Sequence, residues 1–496
     1  MLGAVGSRAV AASLNSYGHQ MYELERGSTD TKLWKDVKRK RVRIPDLVCS
    51  KCGLRIESRA KSKPELSMSH SPTELERSWD FGMVNTDVVA FPICEAVDEK
   101  YWSTGKLNEL VSYWHERDWV RWMAHKHVNY FSVERFRRVP FITLARKGVT
   151  EGSELAIGWP ATFATFGGTV ESVAAGKVRI RREPDSRRFS RAIKQGQILV
   201  VEPGQQVASD EVIAASVSPL RNDELRCPSR LPEQHISGLL ESRERTQRFT
   251  GIKLARIRRE RQFCDAVTAL VRDSEEDIYV RLEGVAYEAA VCDVALMNLI
   301  GPYLDSPDPQ TRLEAVITLS EAQTVEAVEI LDRLLDNRDL PYFLRSAAAW
   351  GLGRIGGDTA TQRLIEAFAD VSSEIREEAL SAIVQMGGPA VPTLLSTLGT
   401  QPENSVAAGC AEALRQCGSQ PEIPIDEIVR MLTHNRSVWT TWLVGMLPRD
   451  RVAACVAPLQ MSHPELHYAI NVLWSFVESW IGNRWESRPF ARLPHD

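Results

Sequence analysis

The chain has 496 residues, 43% hydrophobic and 25% charged, which excludes a disordered or fibrous protein and leaves room for two to four domains. No run approaches the ~18 apolar residues that a spanning helix needs, so no membrane-embedded segment is expected. The net charge of −4 hides a division: residues 1–264 carry +12, whereas residues 265–430 carry 28 Asp and Glu against 11 Arg and no Lys. A basic front half joined to an acidic back half points to a nucleic-acid-facing part and a part that faces something else. Nine scattered cysteines argue for a reducing cytoplasm and against a disulfide framework, and residues 1–16 lack the basic start of a cleaved signal.

Taken in chain order, the first predicted elements are two strands, 42–49 and 54–61, joined by a tight turn ahead of Gly53. In the second strand, alternation sends Leu54 and Ile56 to one face and Arg55, Glu57, Arg59 and Lys61 to the other. Asp46, directly after Pro45, stands on the first strand. Acids on two paired strands beside a lysine are what metal-dependent phosphodiester hydrolysis requires: carboxylates hold Mg²⁺, the metal activates water, and the lysine meets the developing charge. Residues 32–63 hold 12 Lys and Arg against three acids, Asp36, Asp46 and Glu57. This makes Lys38, Arg39, Lys40, Arg41, Arg43 and Lys63 candidate phosphate contacts, joined further on by Arg121 and Lys126.

The hairpin resembles the PD-(D/E)xK nucleases, with Pro45-Asp46 as the PD and Lys61 as the lysine. The resemblance implies a DNA endonuclease using Mg²⁺ or Mn²⁺, with Asp46 and Glu57 as metal ligands and Asp46, Glu57, Arg59 and Lys61 in the site. It departs from the family in one place: Arg59 stands where an acid is usual, so Glu57 takes that role. Glu23 or Glu25, on a candidate helix ahead of the hairpin, is the extra acid that many members carry. Within the same turn, Cys49-Ser-Lys-Cys52-Gly53 has the form of a zinc knuckle, but a tetrahedral site needs two more ligands. His70 and Cys94 are the nearby candidates, and an orphan knuckle is favoured over bound zinc. Residues 101–136 interleave tryptophans, tyrosines and phenylalanines with Arg, Lys and His, which reads as a helix with most of its aromatics in the core. His115, His125 and His127 on that segment read as surface residues rather than ligands.

From 148 to 220 the pattern changes to short strands, with candidates at 154–158, 168–173, 177–182, 198–202 and 211–217. The run from Gly196 to Ala214 resembles the hairpin of a barrel-sandwich hybrid, without the lysine tip of a biotinyl or lipoyl carrier. Arg179, Arg181, Arg182, Arg187, Arg188 and Arg191 serve equally as phosphate contacts or as a solvated face. A basic stretch at 243–261 reads as a helix along a nucleic-acid backbone.

Beyond 265 the sequence repeats. Arg281, Arg312, Arg345 and Arg376 recur at intervals of 31, 33 and 31 residues, each opening a small-residue helix followed by a turn and an apolar helix. Gly356-Gly357 and Gly387-Gly388 stand where C-caps belong. This pattern resembles the HEAT-like repeats named from phycobilisome lyases, which implies a scaffold. The repeated Arg is expected to brace a neighbouring repeat, and the charge favours a protein partner over DNA. Trp439, Trp442, Trp474, Trp480 and Trp485 are expected to close the array as a cap.

The resulting expectation is a cytoplasmic, multidomain α+β protein. It comprises a restriction-endonuclease-like α/β domain (17–147), a small β-barrel-like module (148–220), a basic linker (221–264), an α-solenoid of HEAT-like repeats (265–435) and a Trp-rich cap (436–496). The expected function is a Mg²⁺-dependent DNA endonuclease of a restriction or defence system. The alternative is a non-catalytic nucleic-acid-binding adaptor with a degenerate nuclease fold.

Overall fold

The computed structural model describes residues 2–24, 44–96, 123–144, 155–183, 185–228, 233–400, 402–417, 423–434, 437–447 and 449–481. It divides into two compact units, Met1–Val111 with Glu116–Asp293, and Ser112–His115 with Val294–Asp496. The chain is therefore multidomain α+β with a C-terminal helical-repeat region.

The first unit opens on helix α1 (Leu2–Ser16), followed by strands β1 (Met21–Glu23), β2 (Leu47–Cys49) and β3 (Arg55–Ser58). With β5 (Val88–Ala96) and β6 (Met123–Ser132) these form a sheet of order β1-β2-β3-β5-β6, antiparallel except for the β3–β5 pair. The predicted hairpin is real: Gly53 takes φ +74° and its N–H donates to the Cys49 carbonyl at 2.8 Å. Both faces of the sheet are covered. Val88, Ala90 and Tyr130 pack under Val10 and Leu14 of α1, while Val89, Phe91 and Phe131 enter a second core with Trp79, Phe136 and Trp159.

Two expectations change here. Residues 123–132 form a strand and, among the described residues of that segment, Val133–Arg137 (α2) is helical, because a strand buried on both faces loses the alternation that would mark it. Arg55, placed by alternation on the charged face with Glu57, Arg59 and Lys61, is buried at 3% exposure. Its Nε donates to Asp87 Oδ1 at 2.9 Å and its Nη2 to Asp87 Oδ2 at 2.6 Å, so the charge is neutralised where water is excluded.

The remaining strands are β4 (Ser67–His70), β7 (Ile142–Leu144), β8 (Leu155–Gly158), β9 (Ala161–Phe163), β10 (Gly168–Ala174), β11 (Lys177–Arg182), β12 (Arg188–Ala192), β13 (Ile198–Leu199), β14 (Gln206–Val207) and β15 (Val212–Ala215). They make three small sheets, ordered β12-β11-β10-β14, β13-β15-β9 and β4-β8-β7. The β10–β11 turn sets Ala175 and Gly176 at φ +51° and +69°, the double left-handed geometry of a two-residue hairpin. Helices α3 (Glu233–Leu240), α4 (Arg245–Ile257), α5 (Cys264–Arg272) and α6 (Ile278–Val291) complete the unit. Against the expectation of unpaired thiols, Cys264 and Cys292 form a disulfide.

The second unit is a succession of helices: α7 (Leu296–Leu304), α8 (Pro309–Ala322), α9 (Val325–Asp336), α10 (Tyr342–Ile355), α11 (Gly357–Glu366), α12 (Ser373–Met386), α13 (Val391–Gly399), α14 (Asn404–Cys417) and α15 (Ile425–His434). Helices α16 (Val438–Met446), α17 (Arg449–Val456), α18 (Leu459–Ser462) and α19 (Pro464–Ile481) follow. Asp308, Thr324 and Ser372 cap α8, α9 and α12 through their side chains, which satisfies first-turn N–H groups. Gly356 and Gly387 end α10 and α12 at φ +73° and +69°, as the glycine pairs led one to expect.

Small residues make α10 a central helix: Ala347, Ala348 and Ala349 are all fully buried. Arg345 braces the stack. Its Nε donates to the Leu335 carbonyl at the end of α9 at 2.7 Å, and its other end pairs with Asp370 ahead of α12. Arg281, in the first unit, donates from its Nε to the Val271 carbonyl at 3.1 Å. Trp474 is buried and Arg449 lies over its ring at 5.0 Å, while Trp485 lies outside the described residues. No single described helix is long and apolar enough to cross a membrane.

Candidate metal centre

The candidate nuclease residues come first, because the sequence singled them out. Asp46 Oδ2 accepts from the Ser58 backbone N–H at 2.7 Å, tying β3 to the segment that leads into β2. Glu57 Oε1 pairs with Arg59 Nη2 at 2.8 Å. Lys61 Nζ donates to Ser67 Oγ at 2.9 Å and lies 3.8 Å from Glu65. Lys63 is exposed; Glu25, Lys38, Arg39, Lys40, Arg41, Arg43 and Arg121 lie outside the described residues, as does the side chain of Lys126.

Several of the other basic groups are engaged with carboxylates. On α4, Arg248 pairs with Glu276 at 2.5 Å and Arg256 with the fully buried Glu283 at 2.7 Å, while Arg245 reaches Asp277 at 2.9 Å. Helix α4 is therefore a core helix, with Phe249, Ile252 and Leu254 buried, rather than a rod laid along nucleic acid. In the β module Arg188 pairs with Glu171 at 2.9 Å, and Arg182 pairs with Asp185.

Where the chain does gather chemistry is around the knuckle. His19, Cys49, Cys52 and Cys227 place their ligand atoms all within 4.8 Å of one another. Three separate pieces of backbone deliver them. His19 follows the end of α1, after Gly18 turns the chain at φ +88°; Cys49 ends β2 and Cys52 sits in the hairpin turn; Cys227 arrives with its N–H bonded to the Tyr17 carbonyl at 3.1 Å. His19 Nδ1 lies 3.5 Å from Cys52 Sγ, and His19 Nε2 lies 2.9 Å from the Leu225 carbonyl. Since that carbonyl can only accept, Nε2 carries the proton and Nδ1 offers its lone pair to the sulfurs. Cys49 Sγ also accepts from the Gln20 N–H at 3.4 Å.

The electrostatics favour a thiolate at Cys49. Its hydrogen bond from Cys52, opposed by burial and aided by His19 and the Gln20 N–H, holds its pKa well below that of an ordinary thiol, while Cys52 is driven the other way by the same pairing. Burial works against charge on His19, but its bonds to Cys49 and the Leu225 carbonyl raise its pKa overall. The two extra ligands anticipated from sequence are not here. Cys94 is a core thiol pushed up to about 11 by burial, and His70 Nδ1 accepts from the Trp79 N–H at 3.3 Å. His19 and Cys227 were missed because no fixed spacing links them to the knuckle.

The repeat unit carries a second feature, a groove of about 660 Å³ between α13 and α15, lined among others by Val391, Leu395, Ser396, Glu427 and Met431. Acids crowd α9 and α11. Burial raises the Asp332 pKa, Arg363 at 3.2 Å opposes it, and Asp336 and Glu366 raise it further.

Residues 297–384 and 338–415 match the model of the HEAT repeats. The repeats are HEAT repeats. A deoxyhypusine hydroxylase from Candida glabrata is 29% identical over 141 residues, 27% of this chain and 44% of the relative, so the chain spans less than half the length of that protein. Among solved structures, human deoxyhypusine hydroxylase in complex with glycerol matches at 17% identity and TM-score 0.19, over 42% of this chain and 81% of that one. An engineered protein matches at 20% identity and TM-score 0.22, over 47% and 75%.

The HEAT-repeat match and the similarity to a hydroxylase sequence overturn the endonuclease expectation. The hydrolase chemistry, the Mg²⁺ or Mn²⁺ cofactor and the restriction or defence role fall with it.

Proposed function

We propose that the protein is a non-catalytic scaffold that docks a protein partner on its HEAT-repeat unit. The observation that carries this reading is the groove between α13 and α15, where Val391, Leu395 and Met431 stand beside Ser396 and Glu427, in a lysine-free region of charge −17. Such a surface favours a partner that inserts apolar side chains between Val391 and Met431 and surrounds them with Lys or Arg. Phosphate oxygens would meet repulsion there, so the acidic surface argues against nucleic acid as the occupant.

The hydroxylase activity in the relative's name is not carried over. Non-haem iron oxygenation relies on histidine and carboxylate ligands together, and residues 265–430 contain no histidine.

A photo-crosslinking residue placed at Ser396, an exposed position on the groove wall, tests the proposal in the cells that make the protein. The expected result is a discrete protein adduct from position 396 that is absent from Leu75, an exposed position in the first unit. Equal labelling from both positions, or adducts to nucleic acid alone, would refute it.

A further inference from the structure

We propose that His19 Nδ1 and the thiolates of Cys49, Cys52 and Cys227 bind one Zn²⁺ in a closed, structural site. Four ligand atoms lie within 4.8 Å of one another, and tetrahedral Zn²⁺, with Zn–S of ~2.3 Å and Zn–N of ~2.0 Å, holds its ligands ~3.5–4 Å apart. A modest contraction brings all four into its shell. Three sulfurs and one imidazole suit Zn²⁺ and exclude Mg²⁺ or Ca²⁺, which take oxygen ligands. With four protein ligands no position is left open for water, so the site is structural and supplies no catalysis.

The surroundings are built for a metal. The Leu225 carbonyl fixes the tautomer of His19, which is the usual outer partner of a metal-bound imidazole. The Gln20 N–H donates to Cys49 Sγ, and Gly53 closes the knuckle behind Cys52. A Zn²⁺ with three thiolates carries one net negative charge. Lys51 Nζ sits on the Gly18 carbonyl at 2.9 Å and Arg258 reaches the Ser50 carbonyl, so two cations border the turn. On binding, each thiol still protonated releases its proton and His19 enters as the neutral imidazole.

The consequence is a staple. His19 belongs to the exit of α1, the two knuckle cysteines to the β2–β3 hairpin, and Cys227 to a segment that runs from Leu220, whose N–H bonds the Tyr130 carbonyl at 2.7 Å. One ion would hold these three pieces together at the edge of the first sheet, where Leu14, Leu47, Tyr130 and Leu225 share a core.

The test uses the full chain, purified with reductant and without chelator. Elemental analysis should find one zinc per chain, and the apoprotein should take up Co²⁺ with sulfur-to-metal charge-transfer bands and intense tetrahedral d–d absorption. Cys227→Ser and His19→Ala should each lower zinc content and weaken the Co²⁺ spectrum, whereas Cys455→Ser should change neither. Should a ligand variant fail to fold, chelator treatment of the wild type serves instead: its Tm should fall and recover with Zn²⁺ but not with Mg²⁺. Reduced wild-type protein that holds no zinc and gives no tetrahedral Co²⁺ spectrum would overturn the proposal. A Cys49–Cys52 disulfide persisting under reductant, or stoichiometric iron at the site, would do the same.

Discussion

Gly353→Ala puts the packing of the repeats to a test in which two effects oppose each other. Gly353 lies within α10, where alanine would be favoured over glycine by about 1 kcal/mol on helix propensity alone. A Cβ at this position, however, would stand 2.7 Å from the Cβ of Ala382 on α12, 3.1 Å from its Cα and 3.2 Å from its carbonyl oxygen. None of those atoms can swing aside, since Ala382 has no side-chain torsion and the other contacts are backbone. Overpacking of this kind costs about 1–3 kcal/mol, so the net effect should be a loss of up to about 2 kcal/mol, or up to about 8 °C in Tm. Gly238→Ala is the matched control, because that glycine is exposed in α3 with nothing within 4 Å of an added Cβ. It should stabilise by about 0.5–1 kcal/mol. Thermal unfolding followed by far-ultraviolet circular dichroism reads both. A Gly353→Ala protein that melts above the wild type would refute the claim that α10 and α12 touch through their backbones.

Three further outcomes follow from named contacts. Asp370→Asn should cost about 3 kcal/mol at neutral pH, because it leaves Arg345 buried without its carboxylate; urea unfolding measures it, and an unchanged midpoint would contradict the brace. The pairing with Arg345 and the Ser372 N–H outweighs burial and holds the Asp370 pKa below its ordinary value. Its contribution is thus complete above the unfolded pKa of about 3.9 and lost as pH falls through the lower folded value. The gap between wild type and Asp370→Asn should narrow below about pH 4, and a constant gap down to pH 2 would count against the pair. Asp46→Ala should cost about 1–3 kcal/mol by orphaning the Ser58 N–H, while neither it nor the wild type cuts plasmid DNA with Mg²⁺; cleavage by the wild type that the substitution abolishes would restore the nuclease reading.

The repeats were the most legible part of the sequence, because one packing solution recurs and leaves its Arg, its small residues and its C-cap glycines at a fixed interval. The β10 and β11 strands were also plain, since one face of each is solvated and the alternation survives. Residues 123–132 misled for the opposite reason: Tyr130 and Phe131 are both buried, on opposite faces, and a strand covered on both sides carries no period of two. The hairpin at 47–58 misled because charge alone does not reveal direction. Arg55 turns inward to Asp87, 32 residues on, and sequence gives no sign of that partner. Half of the metal centre was readable as Cys-x-x-Cys-Gly. The other half was not, since His19 lies 30 residues before the knuckle and Cys227 lies 175 after it, and only the fold brings them together.

The central claim, that the HEAT unit docks a protein through the α13–α15 groove, is tested most directly by the affinity of the crosslinked partner for three forms of the full chain. Wild type, Ser396→Trp and Glu427→Arg are compared by titration calorimetry at two salt concentrations. Both substitutions sit at exposed positions on the groove, so the fold should be kept. The account predicts at least about tenfold weaker binding for each, roughly 1.4 kcal/mol, with the Glu427→Arg loss shrinking as salt rises. Undiminished affinity in both variants would contradict it.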